Sequence, residues 1–184
     1  MKHTALSLIL LASLGASTVV VAGEQTVTLG YAQSKVQDFK NIRGVNAKYR
    51  YEWDSPVSVM GSFTYLSGND DLFGDDSWGN TRYDDNAKVK YYSLLVGPAY
   101  RMNEYVSFYA LGGVGKGKVE ITQNYHHSDY TYIEDSTDNT TQFAYAAGVQ
   151  INPTENVAID VGYEGSKIND AKLNGFNVGI GYRF

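Results

Sequence analysis

The sequence has no cysteine, three prolines and three histidines among its 184 residues. Without cysteine the fold relies on no disulfide, and with so little proline long extended segments run uninterrupted, a balance that suits an exported β-rich protein. His3 lies in an N-terminal segment of the kind removed on export. His126 and His127 are then the histidines left for acid–base chemistry or for activating a nucleophile. Beyond Ala22 there is no run of about 18 apolar residues, so the remaining chain cannot cross a membrane as a helix. Positive charge is also short: 15 Lys and Arg against 20 Asp and Glu give a net charge of -5. Nucleic acid needs concentrated Lys and Arg, so this balance argues against it and no nucleic acid is expected as a partner.

The N-terminus carries a leader pattern. Lys2 and His3 precede an uncharged run over 4–22, with the slim Val20 and small Ala22 at the positions a signal peptidase reads. Cleavage is expected after Ala22, leaving 23–184 as one domain. The run is also long enough for an anchoring helix, but the residues before Gly23 favour the leader. The chain is rich in tyrosine (16) and glycine (19). Aromatic abundance of this kind fits the girdles of a membrane barrel.

Period-2 alternation recurs without an intervening helical pattern. In the last segment Phe176, Val178, Ile180, Tyr182 and Phe184 share one face, and Gly175, Asn177, Gly179, Gly181 and Arg183 share the other. Seven earlier segments alternate likewise, over 25–34, 42–52, 57–67, 88–101, 105–119, 139–151 and 156–166. The fold class is therefore all-β, an eight-stranded antiparallel transmembrane β-barrel. Lys48, Arg50 and Glu52 form a row of charges on one side of the second strand, and Asp160 and Glu164 do so on the seventh. Arg101 and Arg183 also belong to this interior set. A lipid-facing Lys or Arg costs roughly 2 to 4 kcal/mol at the midplane, so these charges are expected inside, with the acids of strand seven meeting the bases of strand two.

Tight turns are expected at 53–56, 102–104 and 152–155, and loops at 35–41, 68–87, 120–138 and 167–170. Barrels of this type have short periplasmic turns and longer extracellular loops, which puts both termini in the periplasm. Pro98 falls inside the fourth strand, where a bulge or a missing ladder bond is expected.

Four stretches resemble the Ail/Lom/OmpX family of enterobacterial outer-membrane proteins: Tyr31-Ala32-Gln33-Ser34, the run 48–52 (Lys-Tyr-Arg-Tyr-Glu), 97–101 (Gly-Pro-Ala-Tyr-Arg) and 179–184 (Gly-Ile-Gly-Tyr-Arg-Phe). The runs 34–45, 160–166 and 174–179 are similar to one member of that family in particular. The resemblance covers nearly all of the chain past the leader but not the two long loops. It implies an eight-stranded barrel in the outer membrane and a non-enzymatic virulence role: adhesion, resistance to complement, or survival in phagocytes. It implies no catalytic residue and no cofactor. Host surface or complement proteins are the partners it suggests.

The run 112–118 has the glycine and lysine spacing of a phosphate-binding loop, but Val119 stands where Ser or Thr should bind magnesium, and glycine in a strand explains it. His126, His127, Ser128 and Asp129 adjoin in sequence, yet neighbours in an extended chain point opposite ways and form no triad unaided. Asn69, Asp70, Asp71, Asp75 and Asp76 lack the spacing of a calcium loop. Metal is therefore not expected.

Phe176, Ile180, Tyr182 and Phe184 are expected to form the signal read by the barrel-assembly machinery. Lys35, Lys40, Arg43, Lys167 and Lys172 are expected to meet lipopolysaccharide phosphates beside the lipid. The long loops carry Asp70, Asp71, Asp75, Asp76, Asp84, Asp85, Asp129, Glu134, Asp135 and Asp138, an anionic crown above a cationic base. An enzyme acting on lipid A and a small pore are the competing functions. The first is disfavoured by histidines confined to one loop, the second by a lumen that side chains can fill.

Overall fold

The computed structural model describes residues 23–37, 41–74, 82–127, 130–168 and 171–184. Eight strands succeed one another: β1 Glu24–Val36, β2 Asn41–Glu52, β3 Val57–Gly74, β4 Arg82–Arg101, β5 Val106–His127, β6 Tyr130–Ile151, β7 Val157–Ile168 and β8 Ala171–Arg183. Each pairs antiparallel with its neighbours and β8 returns to β1, closing the barrel. Residues 1–22, Lys40, Asp75, Asp76, Ser128 and Asp129 lie outside the described residues.

The register fixes the barrel's dimensions. Val27 pairs with Tyr49, Tyr49 with Gly61, Gly61 with Val96 and Val96 with Gly112. Gly112 then pairs with Tyr145, Tyr145 with Gly165, Gly165 with Asn174 and Asn174 with Lys35. The circuit returns to β1 eight residues along, so eight strands carry a shear of eight. That geometry tilts the strands and leaves an interior just wide enough to be filled by side chains.

Alternation is turned outward. On β1, Val27, Leu29 and Tyr31 are exposed while Thr26, Thr28, Ala32 and Ser34 are buried. Val45, Leu94, Val96, Val161, Val178 and Ile180 are exposed in the same way, a large apolar surface that only lipid can cover. Tyr49, Trp53, Tyr100, Tyr105, Tyr182 and Phe184 flank this band towards the short turns, and Tyr31, Phe63, Tyr92, Phe143, Tyr145 and Tyr163 flank it towards the loops.

The short turns are tied by their own side chains. Asn103 Oδ1 accepts from the amides of Tyr105 (2.9 Å) and Val106 (2.8 Å), and Thr154 Oγ1 accepts from that of Val157 (3.2 Å). At Pro98 the β4–β5 ladder is broken: pairing passes from Val96–Gly112 to Ala99–Tyr109 with the register unchanged. The feature is a gap of two residues on β4, not a bulge.

Two expectations about loops are corrected by the strands. Residues 68–74, 82–87, 120–127 and 130–138 are paired strand, so the two long loops are largely a four-stranded extension of β3–β6 beyond the barrel. Their polar composition hid this, because an extension standing in water needs no apolar face turned to lipid. Likewise Lys35 and Lys167, expected in loops, sit in strands, as do Arg43 and Lys172. The seams are unequal. β6 pairs with β7 only over Tyr145–Ile151 and Ile159–Gly165, the shortest ladder among the described residues.

Candidate functional site

Inward-facing charges are stacked in layers. Nearest the turns, Glu52 Oε1 accepts from Arg101 Nε (3.0 Å) and forms an ion pair with Arg50 at 2.9 Å, and Arg183 Nε lies 3.6 Å from Oε2. Arg183 also pairs with Glu24. Arg50 turns its remaining donors to Ser58 Oγ (2.8 Å) and Gln150 Oε1 (2.9 Å). One layer on, Lys48 Nζ donates to Asp160 (2.5 Å), Asn177 (2.6 Å) and Asn46 (2.8 Å), three acceptors for three N–H bonds. Tyr109 donates its hydroxyl to the same Asp160. Above these, Glu164 accepts from Thr64 (2.7 Å) and Tyr91 (3.0 Å). Lys48, Arg50, Arg101 and Arg183 thus face Glu24, Glu52, Asp160 and Glu164, four charges of each sign.

The pairing differs in part from a simple meeting of strands two and seven. Lys48 meets Asp160 across the lumen, but Arg50 pairs with Glu52 on its own strand, and Glu164 takes hydroxyl donors. The register sets this: Glu164 stands nearer the loops than either base, beyond the reach of Arg50.

The glycines of the run 112–118 serve this interior. A Cβ at Gly115 would lie 2.6 Å from the Tyr91 hydroxyl, and one at Gly117 would lie 2.7 Å from Ile168. Gly148 and Gly162 leave room for the Tyr109 hydroxyl, with which a Cβ at either would collide. The run 112–118 lies within β5 and opens no helix, so it makes no phosphate-binding loop.

Outside, just past the aromatic flank on the loop side, Lys35, Arg43, Lys167 and Lys172 are exposed on β1, β2, β7 and β8. Beside Lys167 and Lys172 a cleft of about 520 Å³ is lined by Phe143, Tyr145 and Tyr163. At the same height, outward on β4 and β5, stand Lys88, Lys90, Lys116 and Lys118, which sequence reasoning missed. Glu120 lies among them, 2.5 Å from Lys118 and 3.2 Å from Lys90, and those ammonium groups hold its carboxyl below the usual range. The signal that finds them is parity: all share the outward register of Tyr92 and Val114.

Phe176, Ile180, Tyr182 and Phe184 face outward on β8 and its end, with Tyr182 and Phe184 stacked at 6.3 Å. The backbone of Phe184 exchanges two hydrogen bonds with Gln25, 2.8 and 2.9 Å long. Beyond the barrel, residues 130–139 of β6 pair with β5 and, among the described residues, with no strand on their other side.

Residues 3–184 match the family described as enterobacterial Ail/Lom protein. The chain is 49% identical over 185 residues to the virulence membrane protein PagC of Salmonella typhimurium, covering 100% of each. It is 43% identical over 166 residues to outer membrane protein X of Escherichia coli K12, covering 89% of this chain and 88% of that relative. Among solved structures it is similar to Ail, the attachment invasion locus protein of Yersinia pestis, in complex with the heparin analogue sucrose octasulfate. The TM-score is 0.69 at 38% identity, covering 89% of this chain and 100% of that one.

Proposed function

The chain belongs to the enterobacterial Ail/Lom family, and from that premise we propose that its four-stranded extension is a docking surface for host proteins, carried by the barrel as an anchor. It is an outer-membrane protein of a virulence-associated kind. The observation that carries the proposal is the edge of β6 over 130–139, which no strand among the described residues pairs on its outer side. An unpaired edge offers a row of N–H and C=O groups that an extended segment of another protein can complete. The sequence of that edge has no Lys and no Pro, two residues that commonly block such pairing. Complement and matrix proteins are the partner class in this reading, and lipid A modification is no part of it.

The test replaces 70–86 and 122–136 by short turns and measures binding of matrix and complement proteins to intact cells. Loss of binding with unchanged outer-membrane level is expected. Undiminished binding overturns the reading, and altered lipid A in mass spectra of expressing cells would favour an enzyme.

In the same reading, residues 1–22 are a cleaved leader, both termini face the periplasm, and the C-terminal aromatics engage the assembly machinery. Lys35, Lys40, Arg43, Lys167 and Lys172, joined by Lys88, Lys90, Lys116 and Lys118, pair with lipopolysaccharide phosphates. What supports this is a belt of cations one step beyond the aromatic band, the height at which lipid phosphates stand. Changing Lys35, Arg43, Lys167 and Lys172 to Gln should lower the melting temperature in lipopolysaccharide-containing bilayers and leave it unchanged in neutral phospholipid. Equal melting in both settings removes the proposal.

A further inference from the structure

The lumen is not uniform along its length. In the half nearest the turns an apolar cluster of Met60, Leu95, Ala99 and Leu111 lines the β3–β5 side, and the polar and charged remainder is incompletely paired: Thr26 Oγ1, Ser107 Oγ, Gln150 Nε2, Asn152 Oδ1 and Asp160 Oδ2 are buried with no partner in the protein. Buried donors and acceptors of this kind demand water, since leaving one unsatisfied costs roughly 1 to 3 kcal/mol. At the turn end a cleft of about 680 Å³ opens to solvent, lined by Arg101, Asn152 and Arg183, so that of the residues with unpaired atoms Asn152 borders it directly.

Near the loop end the apolar side chains come instead from six of the eight strands and meet across the lumen. Ile42, Leu66, Tyr91 and Leu173 are fully buried and come from four different strands, and Val89 and Ile168 pack behind them. No unpaired buried polar atom lies in this layer among the described residues. Ser93 Oγ, the nearest, lies below it. The packing is tight: a Cβ at Gly68 would lie 2.6 Å from Ile42, as one at Gly115 would from Tyr91 and one at Gly117, at 2.7 Å, from Ile168. Three glycines therefore stand where three side chains of the layer need their space.

We propose that the barrel is a blind vestibule, wetted from its turn end and closed near its loop end by this apolar layer, and that the layer, not the ion pairs beneath it, keeps the protein from conducting ions. An apolar constriction blocks ions by excluding water from a narrow section. The salt-bridged layers, by contrast, hold charge that water can solvate. The vestibule is independent of any docking surface on the β3–β6 extension.

The experiment is planar-bilayer conductance of the full barrel, with folding checked by heat-modifiable mobility. The parent should show no steps and Leu66→Ser/Leu173→Ser should show discrete openings. Lys48→Met/Asp160→Asn should stay silent. Openings in the ion-pair variant alone, or a steadily conducting parent, overturn the proposal. Because the chain has no cysteine, a second readout survives any folding failure of the serine variant. Thr26→Cys should react with a small charged thiol reagent roughly tenfold faster than Ile42→Cys, since a vestibule wetted from the turn end reaches the first and not the second. Equal rates at the two positions would also sink it.

Discussion

A lysine buried inside a membrane barrel is tolerable only if every proton it carries is accepted. Lys48 meets that condition through Asp160, Asn177 and Asn46. Removing one partner of a buried pair leaves an uncompensated charge, whereas removing both leaves a neutral site. Asp160→Asn and Lys48→Met should each destabilise the barrel by about 3 to 5 kcal/mol, and the double variant by clearly less than their sum. Urea unfolding in lipid measures it, and strict additivity would mean that the pair is not coupled. Neighbouring residues on β2 show what alternation reveals and what it leaves hidden. Val45 is 59% exposed and Asn46 is 3% exposed, so the facing of each is legible from period 2 alone. Val45→Arg should cost about 2 to 4 kcal/mol near the midplane by putting a cation in lipid. Sequence alone makes Asn46→Arg the milder change. The structure does not, since the Asn46 amide already donates to Ser62 and Thr64, both at 2.9 Å, and accepts from Lys48. Side-chain period tells which face is inside but not how full it is. A stability measurement on the two variants should find both impaired.

At the scale of strands, the eight elements and their order were readable because each carries its own alternation and each short turn its own Asn, Pro or Ser. The ends towards the loops were not readable. Residues 68–74 and 120–127 continue β3 and β5 with polar sequence, and polarity in an extended ribbon is indistinguishable from polarity in a loop. The partners of Glu164 escaped for a related reason, since cross-barrel neighbours depend on a shear that no single strand encodes. The last strand is a different matter. Phe184 makes two backbone hydrogen bonds to Gln25 and stacks on Tyr182, so its loss removes the final rung between β8 and β1. Deleting Phe184 should lower the outer-membrane level while export across the inner membrane continues. Fractionation and immunoblotting decide between this and a merely decorative terminus, for which the truncated chain would accumulate like the parent.

The whole molecule separates its charges by height. The lumen is neutral, the belt beside the lipid is cationic, and the segments 68–87 and 120–138 carry eleven carboxylates, with Arg82 as their one Lys or Arg. Ail of Yersinia pestis has been seen with a heparin analogue, but an acidic crown repels polyanions and favours basic protein segments. Cells bearing this protein should therefore attach weakly to immobilised heparin. Their attachment to matrix proteins should weaken with salt and when Asp70, Asp71, Asp75 and Asp76 become Asn. Strong, salt-sensitive attachment to heparin would refute that assignment of charge to function.

The short ladder between β6 and β7 has a mechanical meaning. A cylinder under tension tears along its least-stitched line, and here that line is the one held only over Tyr145–Ile151 and Ile159–Gly165. Pulled by its C-terminus from a membrane in a force microscope, the protein should yield β7 and β8 together as the first hairpin, leaving six strands to give way later.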